Sequence, residues 1–593
     1  MKMKHALLGV AAMVGFAAAN ATAQTGTLNL AIVGSSAQFL ELGQASSDAT
    51  VQKCNFSDAT KTDIEVLDDR TGTNKIDSAT WWVTWTVGTG GTSCENPGTS
   101  GIVVNLMLNT DSVVGNRAFF GVSNNSADSL TGNDTVTTNT PNGQGAVIYV
   151  ANVLASSITA GNLLKPYTDQ PSLPQTILDV IRNTTANGAT GAPSPNHFNV
   201  AASDIRPEDA KFAINRVEAT CGSPVVAGSN FLGLGYADGS TINGSGTSTT
   251  PGYGSSFNVL NFNITGNDPY AAKAVPTFGV TTLGAVPVVF IVNPSDVSGF
   301  GNLGVSNLTS AQLEGFLDGT FGSTADAGAT GSVATTVFVR EPLSGTYNTV
   351  EYNIPNTNNG HFSSQDAGKY ATASGNPQNP LATYNCPIVN PLAITGGGGG
   401  SINRAIGTGN EIKSVLNTAD SLGYGFWSAA NFANATTKNA KYLTVDGVDP
   451  IQEIWSDGQV PVGGLLGNVS LSHVKDGTYP VWSILRLVSA TSVQSAVQTL
   501  ATEAANFLSP TQPDFVAATQ LSIVRSHFTP DGVSYPSAGT GVTQTPANTP
   551  SNGAPADTTE NGGDVGGIIF TNQQDADYDG AAGATGGITG RRH

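Results

Sequence analysis

The stretch that decides the fold is TLNLAIVGSSAQFLEL, residues Thr27–Leu42. Its first part, Thr27–Val33, is mostly aliphatic and has the composition of a buried β-strand. Gly34 and the two serines after it are typical of a tight turn, and the residues from Ala37 onward open a helix. The stretch therefore predicts a strand that runs directly into a helix, which is the building unit of an α/β sheet.

The same alternation of strands and helices continues along the chain. Val286–Asn293 is the clearest buried strand. Further strands are predicted at Trp81–Val87, Gly101–Leu106, Gly145–Val150, Thr336–Val339, Gly423–Trp427 and Pro480–Val488. Helices are predicted at Gln175–Arg182, Pro207–Asn215, Ser310–Leu317 and Asn410–Asn417. The pattern favours an α/β protein with β-rich insertions.

The composition excludes several classes of protein. The chain has 593 residues, of which 39% are hydrophobic, so it can form a large core. Its 71 glycines and 30 prolines indicate many turns and exclude a coiled coil. The net charge of −19 argues against nucleic acid as a partner, because phosphate backbones are bound by Lys and Arg surfaces.

The N-terminus has the pattern of a secretory signal peptide. Lys2 and Lys4 precede the apolar stretch Ala6–Ala19, and Ala21–Ala23 has the small-residue pattern of a cleavage site. The apolar stretch is shorter than the roughly 20 residues that a membrane span needs. We therefore expect cleavage after Ala23 and a periplasmic or secreted protein.

Four cysteines in an exported chain predict two disulfides, for which three connectivities are possible. Cys54 and Cys94 flank one strand-rich segment, which favours their pairing and leaves Cys221 to pair with Cys386. A metal site is the alternative, but the chain contains no C-x-x-C motif and its six histidines are scattered. Two structural disulfides and no metal site are the favoured interpretation.

Four stretches together resemble the phosphate-binding proteins of bacterial ABC importers, a branch of the type 2 periplasmic binding proteins. In chain order they are Gly34–Phe39 after its strand, Ala201–Asp204, Asn307–Gly319 and Val339–Thr346, with weaker similarities at Asp420–Gly425 and Tyr479–Trp482. The segments between them are longer than the family pattern, so the chain resembles an enlarged relative.

The resemblance implies a type 2 periplasmic-binding-protein-like fold, with two α/β lobes joined by a hinge and a ligand in the cleft. The implied segments are a signal peptide at 1–23, lobe 1 at 24–293 with a β-rich insertion at about 50–195, lobe 2 at 294–423, a return to lobe 1 at 424–535 and a disordered tail at 536–593. It also implies an anion as ligand, an ABC permease as a partner, and neither cofactor nor catalysis.

The resemblance further implies a set of ligand-binding residues. They are Ser35, Ser36, Gln38 and Phe39 in the first turn, Asp204, Arg340, and Ser344, Gly345 and Thr346 at a second helix start. Helix N-termini present free N–H groups and attract anions, and the planar fork of an arginine suits bidentate contact with oxygen atoms. Asp204 can only accept a hydrogen bond, so it favours a ligand that carries a proton, such as phosphate.

One position departs from the family pattern. The family has a second Asp two residues after the arginine, and this chain has Pro342 there, with Glu341 one residue away. The loss of that acceptor leaves other oxyanions or small acidic ligands open.

Other interpretations of the same residues remain. Ser344 could be an ordinary helix N-cap, Asp204 could cap a helix that begins at Pro207, and Arg340 could pair with Glu341 or Asp204. The alternative function is a secreted structural or adhesive protein, which the long Ser, Thr, Asn and Gly segments favour. A phosphatase is the third hypothesis, but no nucleophile and base are paired, so we expect no enzyme.

Overall fold

A computed structural model describes the elements that form the core of the chain. The described residues are 25–48, 54–58, 64–67, 75–78, 80–112, 115–116, 119, 147–150, 170, 172–182, 198–204, 267–268, 273–274, 278–293, 300, 305–317, 319–340, 344–354, 392–393, 399–405, 407–433, 435, 440–455, 457–507, 514–521, 523–525 and 568–570.

The protein is α/β, as the sequence predicts. Its strands are β1 (Thr25–Ser35), β2 (Cys54–Asp58), β3 (Ile64–Leu67), β4 (Lys75–Ser78), β5 (Thr80–Trp85), β6 (Ser100–Thr110), β7 (Val147–Val150), β8 (Val200–Ser203), β9 (Asn267–Asp268), β10 (Lys273–Ala274), β11 (Phe278–Asn293), β12 (Asn307–Leu308), β13 (Thr336–Arg340), β14 (Leu392–Ala393), β15 (Ser401–Ala405), β16 (Ser421–Phe426), β17 (Lys441–Tyr442), β18 (Thr444–Val445), β19 (Trp482–Ala490), β20 (Val516–Ala517), β21 (Ile523–Arg525) and β22 (Ile568–Phe570).

The described α-helices follow the strands along the chain. They are α1 (Phe39–Ser47), α2 (Gln175–Arg182), α3 (Ser310–Leu317), α4 (Gly345–Asn353), α5 (Thr408–Asn417), α6 (Ala429–Phe432), α7 (Ser472–Lys475) and α8 (Gln494–Phe507). In the described part of the chain, no helix combines the length and the apolar character that crossing a membrane requires.

The main sheet has two groups of strands that share β11. The order is β14-β15-β13-β16-β11-β19-β8-β1-β6-β5-β2. Residues 278–287 of β11 pair with β19, and residues 288–293 pair with β16. We call the strands from β19 to β2, with residues 278–287, the first half, and the strands from β14 to β16, with residues 288–293, the second half.

β11 changes its partners at Pro287. Pro287 is the last residue that pairs with β19, and Val288 is the first that pairs with β16. Proline cannot donate a hydrogen bond to a sheet, so it is tolerated where the pairing is interrupted. The proline therefore lies at the junction between the halves, in the middle of the strand that the sequence identifies as most buried.

The carboxyl ends of the parallel strands define where a site can form. In the first half, β1 pairs in parallel with both β6 and β8, so these three strands end at one edge. In the second half, β13 and β15 are parallel and end together. Ligands of open α/β sheets bind outside the carboxyl ends of strands.

Helices cover the sheet and bury its apolar side chains. Leu30 and Ile32 of β1, Leu42 of α1 and Leu500 of α8 lie in one core cluster. In the second half, Ile412 of α5 belongs to the same cluster. All three tryptophans of β5 (Trp81, Trp82 and Trp85) are buried, so this strand belongs to the core.

The helix predicted at Gln175–Arg182 is confirmed, and α3 agrees with the predicted Ser310–Leu317. The predicted helix at Pro207–Asn215 lies outside the described residues. The predicted disordered tail is wrong at Ile568–Phe570, which pairs with β21, and the rest of that tail lies outside the described residues.

The Cys54–Cys94 disulfide predicted from the sequence is present, with a Cα–Cα distance of 5.4 Å. Cys221 and Cys386 lie outside the described residues.

Candidate functional site

The first wall of the candidate site is the turn between β1 and α1. Gly34 has a φ of +132°, and a Cβ on it would lie 2.1 Å from the carbonyl oxygen of Ala202. Ser35 Oγ accepts a hydrogen bond from the backbone N–H of Ala37 at 3.2 Å. The close approach of β8 and the cap by Ser35 thus hold the turn against the end of the sheet.

Gln38 fixes this turn to two strands. Its Nε2 donates to the carbonyl oxygens of Ser203 on β8, at 3.0 Å, and of Arg486 on β19, at 3.1 Å. Both hydrogens of the Gln38 amide group are thereby used in contacts with the main chain. Ser36 begins a short 3-10 turn with Gln38 at its end, and it is half-buried.

Phe39 packs into the core at the start of α1. Its ring lies 6.5 Å from the ring of Trp82, measured between centroids, and its carbonyl oxygen accepts from Trp82 Nε1 at 2.9 Å. Its backbone N–H donates to the carbonyl oxygen of Ser36. Phe39 thus holds the turn in place from the side of the core.

The second wall consists of Ser112 and Asp204, which follow β6 and β8. Ser112 Oγ donates to Asp204 Oδ1 and accepts from the Asp204 backbone N–H at 3.3 Å. Asn116 links the ends of β6 and β8. Its Nδ2 donates to Ser203 Oγ at 2.9 Å and to the Ser112 carbonyl oxygen at 3.2 Å. The carboxylate of Asp204 is therefore held by a neutral hydroxyl at the carboxyl edge of the first half.

Arg340 is at the end of β13 and is only 1% exposed. Its Nη2 lies 3.0 Å from Asp111 Oδ1, and its Nη1 donates to Thr408 Oγ1. Its Nε lies 3.8 Å from Glu411 Oε2. A buried charge is tolerated only when it is paired and hydrogen-bonded, and these contacts supply both conditions.

Main-chain contacts hold the same arginine in position. The Arg340 backbone N–H donates to Tyr424 Oη at 3.2 Å, and Glu411 Oε1 accepts from the Tyr424 backbone N–H at 2.9 Å. Glu411 lies in the first turn of α5, where a negative charge is favourable. β13, β16 and α5 are thereby tied together around the guanidinium group.

The start of α4 brings the second half against the first. Ser344 is its N-cap, and Ser344 Oγ accepts from the Tyr347 backbone N–H at 3.3 Å. A Cβ on Gly345 would lie 1.6 Å from Asp204 Oδ1 and 2.4 Å from Ser112 Oγ, so only glycine fits there. Thr346 is buried next to it.

The structure thus brings the predicted residues into one network. The Gly34–Gln38 turn contacts the end of β8, Asp204 contacts Gly345, and Asp111 next to Ser112 contacts Arg340. Arg340 pairs with Asp111 and Glu411, neither of which the sequence suggests, and Glu341 lies outside the described residues. Ser344 is the N-cap of α4, as one of the alternative interpretations predicts, and its backbone lies beside Gly345 at the site.

Sequence reasoning missed Asp111, Ser112, Thr408 and Glu411. The predicted strand ended at Leu106, whereas β6 continues to Thr110, so the two residues after it were not recognised as belonging to a carboxyl edge. Thr408 follows Gly407, which has a φ of +79°, and the helix predicted from Asn410 begins there. A glycine before a polar residue at a helix start was the available signal.

The charges of the site are mostly negative. Three carboxyl groups of the site, those of Asp111, Asp204 and Glu411, are buried, and two of them, Asp111 and Glu411, pair with the cation of Arg340. Among the described residues, no group of three or more His, Cys, Asp and Glu is placed to hold a metal ion.

Solved structures similar to the chain are phosphate-binding proteins. The phosphate-binding protein from Stenotrophomonas maltophilia has 12% identity and a TM-score of 0.29, over 55% of this chain and 78% of that one. A putative phosphate ABC transporter substrate-binding protein with bound phosphate, from Clostridium perfringens, has 14% identity and a TM-score of 0.25, over 41% and 72%. PstS from Borrelia burgdorferi has 16% identity and a TM-score of 0.23, over 38% of this chain.

The chain spans 64% of the length of the Borrelia protein. No protein-family model matches the chain, and no curated protein matches it. At these identities and TM-scores, the solved structures carry no conclusion about the ligand. The proposed ligand therefore rests on the contacts around Arg340 and Asp204.

Proposed function

We propose that the chain is an exported solute-binding protein that binds phosphate or a similar tetrahedral oxyanion between its two halves, without catalysis. The observation that carries the proposal is the meeting of Arg340 with Asp111, and of the start of α4 with Asp204 and Ser112. Donors from two helix starts and one guanidinium group at facing carboxyl edges are the arrangement that an oxyanion needs.

Each group has a distinct role in this proposal. Arg340 supplies charge-assisted donors, and the N-terminus of the nine-residue helix α4 supplies backbone N–H groups beside Ser344, Gly345 and Thr346. The turn at Ser35 supplies donors from the first half, where the Ser112 hydroxyl holds Asp204 in place. Asp204 accepts a hydrogen bond from the O–H group of the ligand, so a protonated phosphate is preferred over sulfate, which carries no proton.

Calorimetric titration of the mature protein with phosphate and with sulfate tests this function. We expect phosphate to bind at least about tenfold more tightly than sulfate, which corresponds to about 1.4 kcal/mol. Substituting Gly345→Ala should weaken phosphate binding by about tenfold or more, because the added methyl group overlaps the position of Asp204 Oδ1.

Gly409→Ala is the matched control, since a Cβ at this glycine of α5 meets no atom within 4 Å. It should bind phosphate like the wild type. An absence of heat with both anions at millimolar concentrations, or equal affinities for G345A and the wild type, would contradict the proposal.

Export and uptake belong to the same proposal. The signal-like residues 1–23 support a periplasmic protein that delivers its ligand to an ABC permease. Cell fractionation separates this function from its rival: a soluble periplasmic pool supports it, and a form assembled on the cell surface favours the structural or adhesive function.

A further inference from the structure

The ion pair between Arg340 and Asp111 joins the two halves of the molecule. Arg340 ends β13 in the second half, and Asp111 follows β6 in the first half, 229 residues away in sequence. The atoms Nη2 and Oδ1 are 3.0 Å apart, and the side chains are 1% and 4% exposed. This contact requires the carboxyl edges of both halves to face each other.

Two other side chains that contact Arg340 lie within the second half. Thr408 and Glu411 belong to α5, which follows β15. Their contacts with the guanidinium group do not depend on the position of the first half. Of these three partners, Asp111 is the one in the first half. The position of the Arg340 guanidinium group is therefore coupled through Asp111 to the distance between the two halves.

Burial makes the loss of either partner costly, because the other charge would be left buried and uncompensated. Opposite charges attract each other far more in a protein interior than in water, and separating the edges would hydrate both groups. The attraction between Asp111 and Arg340 thus operates when the halves are together and is largely lost when water enters. Asp204 also faces the second half, where it meets the backbone at Gly345.

A bound oxyanion would act on the same guanidinium group. It would accept from Arg340 in the second half and from donors of the Gly34–Gln38 turn in the first half. It would therefore bridge the halves as Asp111 does, with the ligand's charge in place of the carboxylate's.

We propose that Asp111 is a positioning residue that serves as an internal counter-anion for Arg340 and draws the two halves together, and that a bound oxyanion can replace it in this role. The second part rests on the proposed function, and the first part does not.

The first test measures the separation of the halves in the full mature protein. Spin labels on non-natural amino acids at exposed Lys413 of α5 and Gln498 of α8 report the distance between the halves by pulsed electron paramagnetic resonance. Asp111→Asn should lengthen and broaden the distance distribution without added anion. Glu411→Gln removes a carboxylate from the same arginine within one half, so it should leave the distribution unchanged.

Arg340→Lys provides a second route if D111N does not fold. Lysine keeps the charge but lacks the planar fork, so it cannot hold Thr408 and Asp111 together, and we expect the same lengthening. A D111N distribution identical to that of the wild type, or an equal lengthening in E411Q, would overturn the role of Asp111.

The second test adds inorganic phosphate to D111N. Phosphate should return the distance distribution to that of the wild type. If phosphate binds by calorimetry but D111N stays open, replacement of Asp111 by the ligand is wrong. If phosphate binds to neither protein, the proposed function is wrong, whereas the lengthening in D111N still decides the role of Asp111.

Discussion

Two kinds of buried carboxyl group occur in this protein. Asp111 and Glu411 face the cation of Arg340, whereas Glu41 on α1 faces the carboxyl group of Asp514. Burial raises the pKa of Glu41 well above its ordinary value of 4.5, and the charge of Asp514 and the hydrogen bond to it raise the pKa further. Glu41 therefore binds its proton more tightly in the folded protein than in the unfolded chain.

The raised pKa of Glu41 has a predictable effect on stability. The stability that protonated Glu41 gives the folded protein is fully present below the unfolded-state pKa of 4.5. It is lost as the pH rises toward the folded-state pKa, because the unfolded chain releases its proton first. Glu41→Gln keeps a neutral side chain that can donate to Asp514. We expect E41Q to unfold at a higher urea concentration than the wild type at neutral pH and to show a flatter pH dependence.

Glu95→Gln is the control for this prediction, because Glu95 is exposed. It should follow the pH dependence of the wild type above about pH 5, where an ordinary carboxyl group is already ionised. An E41Q variant whose stability is lower than that of the wild type at neutral pH would contradict the repulsion between Glu41 and Asp514.

At the scale of elements, the Cys54–Cys94 disulfide secures the edge of the main sheet. β2 is the last strand of the sheet order and pairs with β5, with Cys54 opposite Trp85. Cys94 lies in the connection between β5 and β6, where its carbonyl oxygen accepts from Trp85 Nε1 at 3.1 Å. The disulfide thus joins the edge strand to the connection beside the buried tryptophans.

Replacing both cysteines, in Cys54→Ala with Cys94→Ala, should lower the free energy of unfolding by about 2–4 kcal/mol. The reason is that the unfolded chain regains the freedom that the cross-link removes. Urea unfolding followed by tryptophan fluorescence measures the change. Reduction of the wild type should shift its midpoint in the same direction, and an unchanged midpoint in the double variant would show that β2 is secured by its pairing alone.

Strongly aliphatic strands could be predicted from the sequence, but the residues at which those strands begin and end could not. Val286–Asn293 is recognisable because it is aliphatic, but β11 starts at Phe278, in a stretch of Gly and Thr that only its pairing with β19 makes a strand. The helix start at Ser344 is recognisable from its capping residue. The partner of Arg340 is not, because it depends on which strands end at the same edge, 229 residues apart.

At the scale of the whole molecule, the first strand sets a limit on where the chain can be cut. β1 begins at Thr25, which is only two residues beyond the predicted cleavage site at Ala23. Thr25 is already paired in the sheet, with Ser100 of β6 as its register partner. Cleavage after Ala23 leaves β1 complete, whereas cleavage a few residues later would remove part of the strand that supports the Gly34–Gln38 turn. The signal peptide and the fold are therefore compatible at this position.

We expect the exported protein to begin at Gln24, because small residues at positions 21 and 23 are the pattern that signal peptidase recognises. N-terminal sequencing and intact mass of the protein recovered outside the cytoplasm measure the cleavage site. Ala23→Lys should block cleavage and leave the longer chain attached to the membrane fraction, whereas Ala19→Val, which keeps an apolar residue in the preceding stretch, should be processed normally. Recovery of a protein that still begins at Met1 and stays in the cytoplasm would contradict export and, with it, a role in capturing solutes outside the cell.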